Sequence, residues 1–159
     1  MIMPNDDDVL SAPPPAGAAN GEAVIALLQE NGHLSRQLLR REIKALGLTS
    51  AEARALLYVG ANPGIVQGRL AELLEVQPIA LTRVIDTLEA DGCVERRNSP
   101  TDRRVRLLHL TPRGRGLARR LNALHKTLGR AITTRLSPQD LARFAAALAD
   151  VNVTLRQML

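Results

Sequence analysis

Aromatic side chains are almost missing from this sequence: Tyr58 and Phe144 are the only two, and there is no tryptophan. A core must therefore be filled by Leu, Val, Ile and Ala, which a hydrophobic content of 45% supplies beside 23% charged residues. Cysteine is as scarce. Cys93 stands alone, so no disulfide closes within the chain, and His33, His109 and His125 have no cysteine near them, so no zinc spacing is present. No apolar run approaches the roughly 20 residues that a membrane span needs. Met1–Gly21 has neither the basic start nor the apolar block of a signal peptide. No cofactor, metal or membrane partner is expected, and the expected location is reducing and cytoplasmic. Clustered carboxylate pairs, nucleophile–base pairs and a glycine loop to cradle phosphate are also missing, so an enzyme is not expected.

What is present in excess is positive charge. The net charge is +5. Asp6, Asp7 and Asp8 sit in a leading segment without Lys or Arg, so the remainder sets 21 basic residues against 13 of the 16 carboxylates, a balance of +8. Such a balance favours anionic partners: nucleic acid, acidic protein or anionic lipid. The leading residues 1–20, rich in Pro, Ala, Gly and Asp with Pro13, Pro14 and Pro15 in a row, read as a disordered tail.

Helical periodicity dominates the rest, and the fold class is mainly α with one small β-hairpin. Residues 21–46 read as a long helix with apolar Ile25, Leu28, Leu34, Leu38, Ile43 and Leu46, weakened at Gly32 and ended by Gly47. Ser50 is expected to cap a second helix that runs to about Val59, followed by a turn at Gly60–Gly64. A short helix over Gln67–Leu74 follows, its start lacking a good Ser or Thr cap. A tight turn through Glu75, Val76 and Gln77 leads to Pro78, which suits the first position of the next helix because its missing N–H costs nothing there. That helix carries Leu81, Val84, Ile85 and Leu88 on one face and stops at Gly92. The period then shortens to two. Cys93–Arg97 and Arg104–Leu110 read as strands around Asn98-Ser99-Pro100-Thr101-Asp102, which is strong turn chemistry. Thr111-Pro112 and Ser137-Pro138 open two further helices. Leu117, Leu121, Leu124, Leu128 and Ala131, then Leu141, Phe144, Leu148, Val151, Leu155 and Met158, recur at steps of three and four, a spacing suited to pairing between helices.

Helix, short turn, helix and hairpin is the order of a winged helix-turn-helix, whose second helix fits the DNA major groove. The outward face of that helix holds Gln77, Pro78, Ile79, Ala80, Thr82, Arg83, Asp86 and Thr87. Small residues at its start allow close approach to base edges. Thr82 suits a phosphate or base contact, and Arg83 a guanine edge or phosphate. Arg96, Arg97, Arg103, Arg104 and Arg106 fall within eleven positions around one hairpin, and arginine suits a narrow, strongly negative minor groove. Asp102 beside them would repel phosphate if free, and reads instead as an internal brace for an arginine. Cys93 takes a position where an apolar residue packs between helix and strand, where cysteine is ordinarily inert.

Three linked pieces, Leu88-Glu89-Ala90-Asp91-Gly92-Cys93-Val94-Glu95-Arg96-Arg97, Asp102-Arg103-Arg104 and Leu110-Thr111-Pro112-Arg113-Gly114, resemble the multiple antibiotic resistance regulator (MarR) family, close to its SlyA-like members. The resemblance implies a homodimer clasped through the first, fifth and sixth helices, with two winged modules on a pseudo-palindrome. It implies a helical dimerisation region at 21–48 and 111–159 and a DNA-binding domain at 49–110. By carry-over, Arg83 matches the recognition-helix arginine, Asp102 the wing aspartate that pairs with arginine, and Arg103 or Arg104 the arginine entering the minor groove. Arg103 at the tip, with Arg104 paired to Asp102, is the arrangement expected. Family members also bind small, commonly aromatic acids, and His33, Arg36 and Tyr58 are the candidates here, although the shortage of aromatics argues against a stacking pocket. The function implied is sequence-specific regulation of transcription on double-stranded DNA, most simply by a repressor that an effector releases. The alternative is an architectural protein that coats DNA without preference.

Overall fold

A computed structural model describes residues 20–102 and 104–159. The expected tail, 1–20, lies outside them apart from Asn20. The elements run α1 (Gly21–Ala45), α2 (Ser50–Ala61), β1 (Ile65–Val66), α3 (Gln67–Leu74), α4 (Pro78–Ala90), β2 (Val94–Asn98), β3 (Arg106–Leu110), α5 (Pro112–Ile132) and α6 (Pro138–Met158).

Local chemistry sets most boundaries. Asn20 caps α1 by accepting the Ala23 N–H at 2.9 Å, and the helix runs through Gly32 to a left-handed Gly47 at φ +76°. Thr49, rather than Ser50, caps α2. Its hydroxyl accepts from the Glu52 N–H while Glu52 accepts from the Thr49 N–H, a reciprocal pair that Ser50 could not form. The helix continues past Val59 to Ala61. Val66 begins α3 with no side-chain cap, as its sequence implies. Pro78, Pro112 and Pro138 each sit at the start of a helix, where fixed φ helps and the missing N–H is harmless. Glu75 closes α3 in the left-handed region at φ 55°. Arg54 of α2 donates to the Leu74 carbonyl at 3.0 Å and so fixes the end of α3 against α2.

The sheet has three antiparallel strands in the order β1-β3-β2. β1, with only Ile65 and Val66, pairs with Leu108 and Leu107. Two residues show no alternation, which is why the pattern read only a turn and a helix there. β2 keeps its expected five residues but is shifted by one, and β3 starts at Arg106, two residues later than its alternation suggests. The Cys93 N–H closes the end of α4 on the Leu88 carbonyl, and Val105 bonds back to Asp102 in the turn.

Leu56, Leu70, Leu81, Ile85, Leu88, Leu108 and Leu121 are fully buried and come from α2, α3, α4, β3 and α5. Ile43 of α1 and Ala118 of α5 join the same core. α6 contributes no buried residue. Its apolar stripe is open instead, with Phe144 and Leu155 each 51% exposed. Val24, Ile25, Leu27 and Leu34 of α1, and Ile132 near the end of α5, are exposed too.

The entry to α5 is the tightest junction. The Thr111 hydroxyl donates to the Gly92 carbonyl at 2.7 Å and accepts from the Gly114 N–H at 3.1 Å. A Cβ added at Gly114 would lie 1.9 Å from the Cys93 carbonyl oxygen. Backbone must then move, so Gly114→Ala is expected to cost about 1–3 kcal/mol, as overpacking does. A thermal melt by circular dichroism checks this, and an unchanged Tm would show that the junction yields freely.

Candidate nucleic-acid interface

α4 is anchored from beneath by Leu81, Ile85 and Leu88, which repeat at helical spacing and leave the opposite face outward. Gln77, Pro78, Ala80 and Arg83 are exposed, and Ile79 is 71% exposed. Arg83 makes no ion pair with any described residue. Thr82 is different. It is half-buried, its hydroxyl donates to the Pro78 carbonyl at 3.0 Å, and it accepts from Gln67 Nε2 at 2.7 Å. Its polar group is already engaged inside the protein.

The hairpin divides its arginines. Arg104 and Arg106 are exposed and unpaired among the described residues. Arg97 is exposed and bonds Glu95 at 2.5 Å. Arg103, expected at the tip, lies outside the described residues. Asp102 does brace the wing, yet not by the ion pair expected with Arg104. Its Oδ1 accepts the Arg104 backbone N–H at 2.9 Å. A short side chain two residues away reaches that N–H in a local turn, and the Arg104 guanidinium makes no ion pair among the described residues. The wing loop is closed at its base by the Ser99 N–H donating to the Val105 carbonyl at 3.0 Å.

Arg96 turns inward. Its side chain is 20% exposed against 58% for Arg97. One Nη donates to Asp86 Oδ1 at 2.6 Å and the other to Glu89. Burial pushes the guanidinium down, but the hydrogen bonds and charges of Asp86 and Glu89 outweigh it and hold its pKa above the ordinary arginine value. Gln67, Asp86 and Glu89 are thus structural partners that the sequence pattern did not single out. Asp86 looked outward on the helical wheel, and nothing local ties a helix carboxylate to an arginine ten residues on.

The three candidates for a small acid are not brought together within one chain. Tyr58 lines a cleft of about 580 Å³ between α2 and α5, with Asn62, Leu110, Arg115, Arg119 and Asn122 among its walls. His33 instead bonds Gln37 at 2.7 Å, and Arg36 folds back over Gly32. Both sit midway along α1, which joins the core only further on, through Leu39, Ile43 and Leu46. Among the described residues no group of three or more His, Cys, Asp or Glu could hold a metal ion, and no helix is long and apolar enough to cross a membrane. Cys93 is buried and free.

Residues 46–105 match a family model described as MarR family. The chain is 32% identical to the HTH-type transcriptional regulator PetP of Rhodobacter capsulatus, over 83% of this chain and 86% of that protein. It is 30% identical to the HTH-type transcriptional repressor Rv2887 of Mycobacterium tuberculosis, over 83% of this chain and 95% of that one. Among solved structures, wild-type MarR from E. coli superimposes with a TM-score of 0.68 at 26% identity, covering 83% of this chain and 96% of that chain.

Proposed function

The chain belongs to the MarR family of transcriptional regulators, and from that premise we propose that it is a homodimeric repressor that binds a pseudo-palindromic operator and is released by a small acid. It acts in the cytoplasm, by binding rather than by catalysis. One observation carries the reading: α4 presents the exposed side chains of Gln77–Ala80 and of Arg83, next to a hairpin with exposed Arg104, and neither arginine makes an ion pair among the described residues. Arg83 reads base edges in the major groove, Gln77, Pro78, Ile79 and Ala80 set how closely α4 approaches, and Arg97, Arg103 and Arg104 meet the backbone and the minor groove. Thr82 and Asp102 act from within, holding α4 and the wing in shape. The dimerisation region comprises 21–48 and 111–159, the DNA-binding domain 49–110.

Purified protein should select from fragmented genomic DNA a small set of sites sharing an inverted repeat, with half-sites about one helical turn apart. Enrichment without a common sequence, and equal displacement by unrelated duplex, would make it a DNA-coating protein instead.

The α2–α5 cleft suits the effector. Tyr58 offers a ring and a hydroxyl, and Arg115 and Arg119 stand at its wall. An effector lowers DNA affinity only by preferring a dimer whose α4 helices are misplaced. His33 and Arg36 are not among the residues that line this cleft. Tyr58→Ala is expected to weaken release of the operator by aromatic carboxylates about tenfold, the scale of one lost buried contact. Release curves matching wild type, read by fluorescence anisotropy, would remove this cleft from the proposal.

A further inference from the structure

Arg96 lies on the inward face of the hairpin. It stands opposite the fully buried Leu108 in the strand register, one pair along from Arg97 opposite Leu107, and residues directly opposite share a face of the sheet. An arginine on that face is costly unless its donors are met, and here they are met by α4. Asp86 and Glu89, three apart and so on one face of that helix, take one Nη each. Glu89 also accepts the Arg96 backbone N–H at 3.3 Å. Gln67, the first residue of α3, accepts from Arg96 at 3.4 Å and donates to Thr82, which in turn bonds the Pro78 carbonyl. One polar chain thereby runs from β2 across the start of α3 to the first turn of α4.

We infer that Arg96 is a positioning residue for DNA recognition: by clamping Asp86 and Glu89 to β2 it sets the angle between α4 and the wing at which Arg83 and the hairpin arginines engage one duplex together. The inference rests on the operator-binding reading above. Its geometry is that of a planar fork, which guanidinium offers and ammonium does not. A positive charge held in this way is withheld from phosphate.

The test removes the clamp from its acidic side, in the full-length protein. Asp86→Ala with Glu89→Ala keeps Arg96, suits the helix, and deletes two negative charges near the DNA. If charge alone mattered, both operator and unrelated duplex would bind more tightly. If Arg96 positions, operator affinity falls roughly 5- to 100-fold, the scale of a misplaced base contact, while affinity for unrelated duplex holds or rises. Arg96→Met should lower operator affinity likewise with its salt dependence unchanged, and Arg96→Lys, which can meet only one carboxylate well, should fall between. Should Arg96→Met fail to fold by circular dichroism, the acidic-side pair decides alone. Operator affinity within twofold of wild type in that pair overturns the inference. So does a salt slope reduced by about one per protomer in Arg96→Met, the mark of a direct phosphate contact. A wild-type protein that does not prefer its selected DNA sinks the operator reading and this inference with it. Loss of the inference alone requires that wild-type preference be intact.

Discussion

Arg83→Ala combined with Arg104→Ala is expected to abolish operator binding while leaving the dimer and its melting temperature intact. Both side chains are exposed and free of ion pairs among the described residues, so their loss opens no cavity and orphans no partner. A forked contact to a base edge is worth about 1–3 kcal/mol. Contacts on α4 and on the wing are far enough apart to add, and a dimer contains both twice. The summed loss per half-site is about 2–6 kcal/mol, or roughly 30- to 20,000-fold. The single variants should differ in kind. Arg83→Ala relaxes selectivity at one base pair, whereas Arg104→Ala weakens binding most where the minor groove is narrow. Anisotropy titrations against the selected operator and point-substituted versions separate the two. Operator affinity within twofold of wild type in the double variant would move DNA recognition away from this face.

A second large effect is expected at the seam between chains. Leu141 and Leu148 of α6 lie seven residues apart, two helical turns on one face, and are 38% and 37% exposed in the single chain. No residue of α6 is buried there. A 21-residue helix with an open apolar stripe has lost water contacts to gain only if another surface covers it. Val24, Ile25 and Leu27 of α1 are open too, so α1 also offers apolar surface to such a seam. Leu141→Asp with Leu148→Asp places two unpaired carboxylates in that seam, each costing about 3–5 kcal/mol when buried without a partner. Sedimentation equilibrium should then report monomer at micromolar concentration. DNA affinity should fall by about 100- to 10,000-fold, since the second half-site no longer binds as a linked event. The core of α2–α4 uses neither residue, so its folding should survive. A dimer that persists would place the seam on other helices.

Much of this architecture was written locally. Pro78, and the Thr111-Pro112 and Ser137-Pro138 pairs, marked helix starts within a residue, because caps and proline act on their own backbone. The buried face of α4 followed from the spacing of Leu81, Ile85 and Leu88. Where the reading slipped, competition between neighbours was the cause: Thr49 and Ser50 are both good caps, and only Thr49 has Glu52 at the distance that closes the reciprocal pair. Two-residue β1 exists only because β3 offers it a ladder.

The chain's one-dimensional pattern determined the order of helices, the hairpin, the outward face of α4 and the clustering of five arginines, since periodicity and turn chemistry depend on residues a few positions apart. Which arginine turns inward and which stays exposed was decided by the folded molecule alone. Arg96 and Arg97 are adjacent and chemically identical, but successive residues of a strand point to opposite faces. One therefore meets the carboxylates of α4, and the other lies on the exposed side with its strand neighbour Glu95. Tyr58 was likewise separated from His33 and Arg36 by how α1 and α5 pack on α2, a matter of distances through space that no spacing along the chain encodes.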